Sequence, residues 1–536
     1  APYTHLAPEA CDEYGASARA HLDYTFHVRS YFHPLSPALL LALELGSWIL
    51  IHPRFHLYEP PLMPPPSTLF NLLRHRGEEH LLAHWERLSE EGRSHLKSQL
   101  MAIDWHEIAA CKKLVEDRHA KKSVTRHHDF ENSSTPSCHR LGGQGTASSE
   151  ALSRGRECLR TAQAGAILMA GGQGTRLGFN GPKGTFPIAT ISKATLFDVL
   201  LGHLHAIKKR FGSRIPIAIM TSAATDTATR TFLTEANFCG LDADQIFFFC
   251  QGNLPAVDAA TGSLLLDTCD HVAVAPDGHG GMFQSLIESG GLDWFRQQDC
   301  RTLVSFQVDN PLAKPFDPEF LGHHLLSESS LSTQVIPKLD PEERVGVVAE
   351  SDGVTRIIEY SDLPQNIAAE RLLDGRLRFF AGSIGIHAFE TEFLEGIASS
   401  QARLPLHIAH KKVPFIDKKG RLVQPSAPNA FKFERFIFDV MPLADSVTVV
   451  EVDPAEGFAP LKNPPGAAKD SPEIVRQALN AYAIRHLERV GIMVTPGIDV
   501  ELDAASIFDD EDLHLIAKSG IFPKNHIDGP LIIRAI

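Results

Sequence analysis

Between Ala164 and Lys193 the chain reads AGAILMAGGQGTRLGFNGPKGTFPIATISK. Its glycines, Gly171, Gly172, Gly174 and Gly178, follow a short apolar run, Ala166 to Met169, that has the character of a buried strand. Glycine lets backbone N–H groups approach a phosphate closely, and successive amides form an anion nest. Two fixed cations follow, Arg176 and Lys183, which can neutralise charge that the amides cannot. An ordinary glycine-rich turn would need the glycines but not Arg176, Pro182 and Lys183. The stretch therefore reads as a phosphate-handling loop.

Such a loop needs a scaffold. Thr195 to Lys209 reads as a helix after the loop, and Ile215–Met220, Ile246–Cys250 and Thr302–Val308 read as further apolar strands, with helical segments between several of them. Strands alternating with helices predict an open, mostly parallel α/β sheet. Ligands bind such sheets outside the carboxyl ends of the strands. Gln251–Gly252 and Asp309–Asn310 each follow an apolar run directly, so they are expected beside the glycine loop at one sheet edge.

The remaining chain divides into expected segments. Residues 1–66 lack helical patterning, and the first methionine, Met63, is followed by Pro64, Pro65 and Pro66. Two readings stand for this extension: upstream sequence before a start at Met63, or a genuine extension or localisation segment. Residues 67–116 read as a helical N-terminal arm, with Leu69, Leu72, Leu73, Leu96, Leu100 and Ile103 in helical spacing and Ser89 as a cap. Residues 117–157 lose apolar patterning and are expected as a flexible linker; its His127–His128–Asp129 could bind a metal, although a solvated pair is favoured. Residues 158–470 form the expected catalytic domain. Its later part is rich in strand-like hairpins, such as the pair around Asp352–Gly353. Residues 471–536 begin with a helix started by Pro472 and continue as a small β-containing unit.

Composition narrows the function classes. The 536 residues are 43% hydrophobic and carry a formal charge of −14, which argues against a general nucleic-acid binder. Eight cysteines without a CxxC pair argue against a disulfide framework or structural zinc, and for a reducing, cytoplasmic setting. The most apolar stretch, Pro37 to Ile51, is interrupted by Glu44 and falls short of the roughly 18–20 residues needed to span a bilayer, so no membrane partner is expected. No pattern specifies an oligomeric state.

LMAGGQGTRLGFNGPKG (168–184) closely resembles the signature of the eukaryotic-type UDP-sugar pyrophosphorylases, and within them is most similar to the UDP-N-acetylglucosamine pyrophosphorylases. The likeness extends through FFFCQGNLPA (247–256), VAPDGHGG (274–281), VDN (308–310), VGVVAESDGV (345–354), IIEYSDL (357–363), FKFERFIFD (431–439) and FAPLKN (458–463). It covers roughly residues 68 to 490. The resemblance implies a Rossmann-like nucleotidyltransferase fold of GT-A type. It also implies Mg²⁺-dependent uridylyl transfer from UTP to a hexose 1-phosphate, with N-acetylglucosamine 1-phosphate as leading acceptor and glucose or galactose 1-phosphate as runner-up.

Site residues follow by the same likeness. UTP is expected along Gly171, Gly172 and Gly174, with Arg176 at the leaving pyrophosphate and Lys183 and Lys462 at the phosphates. Asp309 is the expected Mg²⁺ ligand, with a helix cap or structural role as its alternative. Gln251 suits the uracil edge, together with backbone at Pro276 and Gly278. Asn310, Gly346, Glu359 and Tyr360 are assigned to the sugar. Phe436 and Phe438 are either sugar-pocket aromatics or core residues. Two positions depart from the family pattern: His279 stands where asparagine is common, and Ser383 ends a Phe380–Ala381–Gly382–Ser383 segment where the family has Asn-Ala-Gly-Asn.

Rival readings fit less well. A dinucleotide-binding oxidoreductase would show GxGxxG and an acidic ribose ligand, whereas this loop reads GxGxxxG and the next strand ends Met220–Thr221–Ser222. The P-loop pattern GxxxxGK[ST] is absent. A regulatory nucleotide-binding relative without turnover remains the non-enzymatic alternative; Arg176, Lys183, Asp309 and Lys462 speak against it.

Overall fold

Strand Ala164–Met169 is buried at every residue, as expected of a parallel strand covered on both faces. It belongs to a ten-stranded sheet in a computed structural model that describes residues 64–120, 130–143, 145–400, 403–520 and 525–535. All of these fall within the unit Leu62–Ile536. The expectations for residues 1–63 and for His127, His128 and Asp129 lie outside the described residues.

The strands of this sheet, in chain order, are β1 (Cys138–Arg140), β2 (Ala164–Met169), β3 (Ile217–Thr221), β4 (Ile246–Cys250), β5 (Thr302–Gln307), β6 (Leu331–Pro337), β7 (Val347–Ser351), β8 (Val354–Ile358), β9 (Ala381–Glu390) and β10 (Val447–Glu451). Their spatial order is β1-β10-β6-β9-β5-β2-β3-β4, with the β7–β8 hairpin attached to β9. Along that path every neighbouring pair is parallel except the two that β9 makes with β5 and β6. The sheet is thus mixed and mostly parallel, as the alternation of strands and helices predicts.

Register aligns the functional ends. Met169 sits opposite Met220 on one side and Gln307 on the other, and Thr221 is opposite Cys250. The segments that follow β2, β3, β4 and β5 therefore leave the sheet at one edge. Helix Leu196–Phe211 returns from the first of them; a Thr195–Asp198 capping box starts it and Gly212, at φ 74°, stops it. Separate apolar cores cover the two faces, one around Leu168, Phe197 and Phe306, the other around Ile167, Phe283 and Phe389.

The stretch 117–157 departs from the expected linker. Cys138–Arg140 joins the sheet edge beside β10, and Thr146–Arg160 is a helix. That helix buries Ala151, Gly155, Cys158 and Leu159, mostly small residues that leave little apolar periodicity to read. Small size is required: a Cβ at Gly155 would run into the Pro318 carbonyl, and one at Gly322 into that of Ala151, so helices 146–160 and Pro318–Leu326 approach backbone to backbone.

Two units flank the sheet. Helices Ser67–Arg74, Glu90–Ala102 and Trp105–His119 form the N-terminal arm, and Ser89 Oγ accepts the Gly92 N–H (3.1 Å) to cap the second. Leu69, Leu96, Ile108 and Val115 share a core with Leu254, Val272 and Phe433 of the domain's strand-rich part. At the other end, helix Pro472–Arg489 shares a core with residues 490–533. Among the described residues no helix is long and apolar enough to cross a membrane, and the seven cysteines are free thiols.

Candidate active site

The glycine loop folds back on itself. Gly174 N–H donates to the Gly181 carbonyl (2.8 Å) and Lys183 N–H to that of Gly172 (2.9 Å), while Gly178 takes φ +68°. These bonds close the loop into a compact turn that holds the Lys183 backbone directly against Gly172. Gly172 faces open space, and a Cβ at Gly171 would stand 2.6 Å from Gln251 Oε1. The Gly171 carbonyl accepts from Ser222 Oγ (2.8 Å), and Gln251 N–H donates to the Thr221 carbonyl (2.9 Å). Gly171 and Gln251 are thus neighbours, as their positions after β2 and β4 predict.

Lys183 reaches across to the segment after β5. Its Nζ lies 3.6 Å from Asp309 Oδ2 and donates to the Leu461 carbonyl (3.2 Å). The Asp309 carbonyl in turn accepts the Leu461 N–H (2.7 Å). The FAPLKN loop, 150 residues downstream by sequence, is thereby stitched to both Lys183 and Asp309. Lys462, next in line, is exposed; its N–H and that of Asn463 donate to the Asp470 carbonyl (2.9 and 3.0 Å). Burial raises the pKa of the Asp470 carboxyl, Lys462 opposes that shift and the Asp309 charge adds to it. Arg176 is exposed and makes no ion pair among the described residues.

Asn310 joins two segments of the site. It is 3% exposed, its Nδ2 donates to the Gly457 carbonyl (2.8 Å), and its Oδ1 accepts from Ala459 (2.9 Å) and Leu312 (3.3 Å) N–H groups. Its amide ties the FAPLKN loop to the Asp309 segment.

A second cluster lies around the other predicted sugar and base residues. Pro276 pairs with Asn253, two residues beyond Gln251. Gly278 takes φ +84° and lies against the Arg435 carbonyl, leaving no room for a Cβ. His279 Nδ1 accepts the Ile437 N–H (3.0 Å), so the ring proton is assigned to Nε2; burial pushes the imidazole pKa down to about 4, with Asp439 opposing and His407 adding to the shift. The His279 ring stacks on Phe436 at 5.3 Å and meets Phe438 at 5.7 Å. Phe436 and Phe438 are half-buried, whereas their neighbours Phe433 and Ile437 are core residues. The two phenylalanines line a half-buried wall, and Phe438 also packs against the core around Ile437.

Glu359, Gly346 and Ser383 also meet. Ser383 N–H donates to the Gly346 carbonyl (2.9 Å), and a Cβ at Gly346 would stand 3.4 Å from Glu359 Oε1. Burial raises the Glu359 pKa, while His407 draws it down. Tyr360 is 46% exposed beside them.

Several residues here escaped the sequence reading. His407 Nε2 lies 2.6 Å from Asp439 Oδ2, and its ring packs on Phe436 at 4.1 Å. Asp277 is 7% exposed and its carboxyl pKa is pushed up to about 6 by burial, against the opposing charge of Arg435. Asp277, Arg435 and Asp439 lie inside the motifs 274–281 and 431–439, where Pro276, Gly278, His279, Phe436 and Phe438 are the residues singled out by sequence. His407 carries no local signal.

Comparison with known proteins agrees with this geometry. The family model described as UTP–glucose-1-phosphate uridylyltransferase matches residues 112–467. The chain is 34% identical to the UDP-N-acetylglucosamine pyrophosphorylase of Saccharomyces cerevisiae over 466 residues, 84% of this chain and 97% of that protein. It is likewise 34% identical to the human UDP-N-acetylhexosamine pyrophosphorylase-like protein 1 over 435 residues, 78% of this chain and 85% of that protein. The crystal structure of the uridine diphosphate N-acetylglucosamine pyrophosphorylase from Trypanosoma brucei in complex with inhibitor has the same fold, with a TM-score of 0.73 at 24% identity over 88% of this chain and 98% of that one. By motif, by fold and by the extent of these matches, the chain belongs to the UTP–glucose-1-phosphate uridylyltransferase family, the UDP-sugar pyrophosphorylases.

Proposed function

We propose that this chain catalyses reversible uridylyl transfer from UTP to N-acetylglucosamine 1-phosphate. An oxygen of the sugar phosphate attacks the α-phosphorus of UTP, the bond from that phosphorus to the β-phosphate bridge breaks, and pyrophosphate leaves. Two anions must meet, so the protein has to screen phosphate repulsion and hold an in-line approach; no protein nucleophile is needed. The observation that carries this reading is the convergence of Lys183, Asp309 and the Leu461–Lys462 backbone at the carboxyl edge of the sheet.

In this reading UTP lies along Gly171, Gly172 and Gly174. Gln251 and the backbone at Pro276 and Gly278 take the uracil, Arg176 meets the departing pyrophosphate, and Lys183 and Lys462 hold phosphate oxygens. The sugar stands between Glu359, Tyr360, Gly346 and Ser383 on one side and the wall of His279, Phe436 and Phe438 on the other. A cytoplasmic setting is part of the reading.

Asp309 is the residue proposed to hold Mg²⁺. Its carboxylate is a hard oxygen donor, which suits that ion. Among the described residues no group of three His, Cys, Asp or Glu side chains could hold a metal ion by itself. A single carboxylate completed by substrate phosphates is how Mg²⁺ is usually held in nucleotide sites, and the residues present fit that arrangement. The ion would neutralise phosphate charge there. Asp309→Asn is expected to raise the Mg²⁺ concentration needed for half-maximal rate; an unchanged requirement contradicts the assignment.

Glucose 1-phosphate is the second reading, favoured by the departures at His279 and Ser383. Pyrophosphate release from UTP with a panel of sugar 1-phosphates separates the two. Highest kcat/KM with N-acetylglucosamine 1-phosphate is expected; a clear preference for glucose 1-phosphate overturns the acceptor, and activity with none overturns the enzyme.

A further inference from the structure

We infer that the N-terminal arm is part of the active site's framework, and that Glu107, on arm helix Trp105–His119, is a positioning residue for both substrates. Glu107 is 9% exposed and its carboxylate accepts from two guanidinium groups, those of Arg435 and Arg403. Burying a carboxylate is unfavourable unless it is paired, so this arrangement is held by both cations.

Arg435 is where the two half-sites join. Its N–H donates to the Asp277 carbonyl (2.7 Å), and its own carbonyl accepts the Gly280 N–H (2.8 Å). Gly278 and Gly280 lie flat against its backbone: a Cβ at Gly278 would press into its carbonyl oxygen, and one at Gly280 would stand 2.6 Å from its carbonyl carbon. The next residue in the chain is Phe436. A shift of the Arg435 backbone would therefore move the 276–280 turn and the aromatic wall together.

The side chain of Arg435, a buried residue, is anchored as well: its Nε donates to the Leu404 carbonyl (3.2 Å) and its terminal nitrogen pairs with Glu107. Apolar packing of Ile108 and Val115 with Phe433 joins the arm to the preceding strand, but not to Arg435 itself. A cleft of about 1680 Å³, bordered by Glu107, Arg403, Asp277, Ser285 and Arg435, lies between arm and turn. The link across it is ionic. Without Glu107 the Asp277 carboxylate, whose Oδ1 has no hydrogen-bond partner, is the competing anion for Arg435. Turning toward it would pull the guanidinium, and the backbone behind it, into a turn with no spare room.

The inference rests on reading the turn and the wall as nucleotide and sugar contacts. The experiment is steady-state kinetics of the full chain, wild type against Glu107→Ala and Glu107→Gln, with melting temperatures alongside. Arg403→Ala serves as control, because Arg403 touches Glu107 but not the turn. Glu107→Ala is expected to raise KM for both UTP and the sugar 1-phosphate at least about fivefold while kcat changes by less than about threefold. Glu107→Gln, which keeps an acceptor but not the charge, should recover part of the loss, and Arg403→Ala should stay near wild type. If Glu107→Ala does not fold, Glu107→Gln against wild type carries the comparison. A lower melting temperature with unchanged KM values would mean a purely structural role and overturns the inference. Absence of turnover in the wild type contradicts the functional reading instead.

Discussion

Lys183 and Asp309 stand 3.6 Å apart although they leave different strands, and each also binds the backbone of Leu461, one through its side chain and one through its carbonyl. Three segments from distant parts of the chain therefore meet around one cation and one carboxylate. That junction brings residues far apart in sequence to one place, and it makes the loop at 458–463 dependent on the other two segments.

Asn310 is the buried tether of that loop. Asn310→Ala would leave the Gly457 carbonyl and the Ala459 N–H without their partner, and a buried unsatisfied polar group costs about 1–3 kcal/mol. Stability to urea should fall by that order, and turnover should fall with it because Lys462 loses its anchor. Unchanged stability with a raised KM for the sugar 1-phosphate alone would return Asn310 to the sugar.

Gly171 tests the nucleotide pocket. The side-chain oxygen of Gln251 lies 2.6 Å from where a Cβ at 171 would sit, with the Thr221 carbonyl at 3.3 Å. In Gly171→Ala the Gln251 end must move, which is sterically cheap but displaces its amide. KM for UTP should rise by roughly tenfold with the melting temperature nearly unchanged, since small misplacements of a positioning group carry large kinetic penalties. Equal UTP affinity in calorimetry would place Gln251 outside the base contact.

Acid should destabilise the fold through its buried imidazoles. Burial pulls His279 and His203 down to about 4 and His387 to about 3, whereas unfolded imidazoles titrate near 6.5. Their contribution is fully present above about pH 6.5 and is lost as pH falls, at about 1.4 kcal/mol per pH unit for each group. Asp277 runs the other way: its pKa is raised to about 6, so its protonation favours the folded state as pH falls toward 4. Burial raises the Glu359, Asp470, Asp317 and Asp509 carboxyls too, and these act with Asp277, so the imidazole contribution is read from a difference. Scanning calorimetry between pH 7 and 5 should show the melting temperature of His279→Asn gaining on that of the wild type as pH falls; a constant difference contradicts the assignment.

The sequence disclosed the parts of this molecule whose chemistry is local. Ala164–Met169 and Ile217–Thr221 were readable as strands because strands inside a parallel sheet carry unbroken apolar runs. Helix Leu196–Phe211 was readable as the stretch Thr195–Lys209 that follows the strand and loop. Helix Thr146–Arg160 was not, since its contact with Pro318–Leu326 selects glycine and alanine rather than large apolar residues. Nor was the three-residue β1, which is too short to show a pattern and takes its place by pairing with β10. The same division holds at the site: Gly171, Gln251 and Asp309 come soon after their strands and were expected at one sheet edge. The bonds of Asn310 to Gly457 and Ala459 were not legible, because nothing in an amide's local sequence names a loop about 150 residues away as its partner. Glu107 with Arg435, and His407 with Asp439, are partnerships across 328 and 32 residues that no spacing rule reveals.

The central claim is that the junction at Lys183 performs uridylyl transfer. Formation of UTP from UDP-N-acetylglucosamine and pyrophosphate, followed for the wild type and Lys183→Ala side by side, tests it most directly. The account predicts ready UTP formation by the wild type and a rate at least about 100-fold lower in the variant, with the melting temperature retained. Equal rates in the two proteins, or no UTP formed by the wild type, would contradict it.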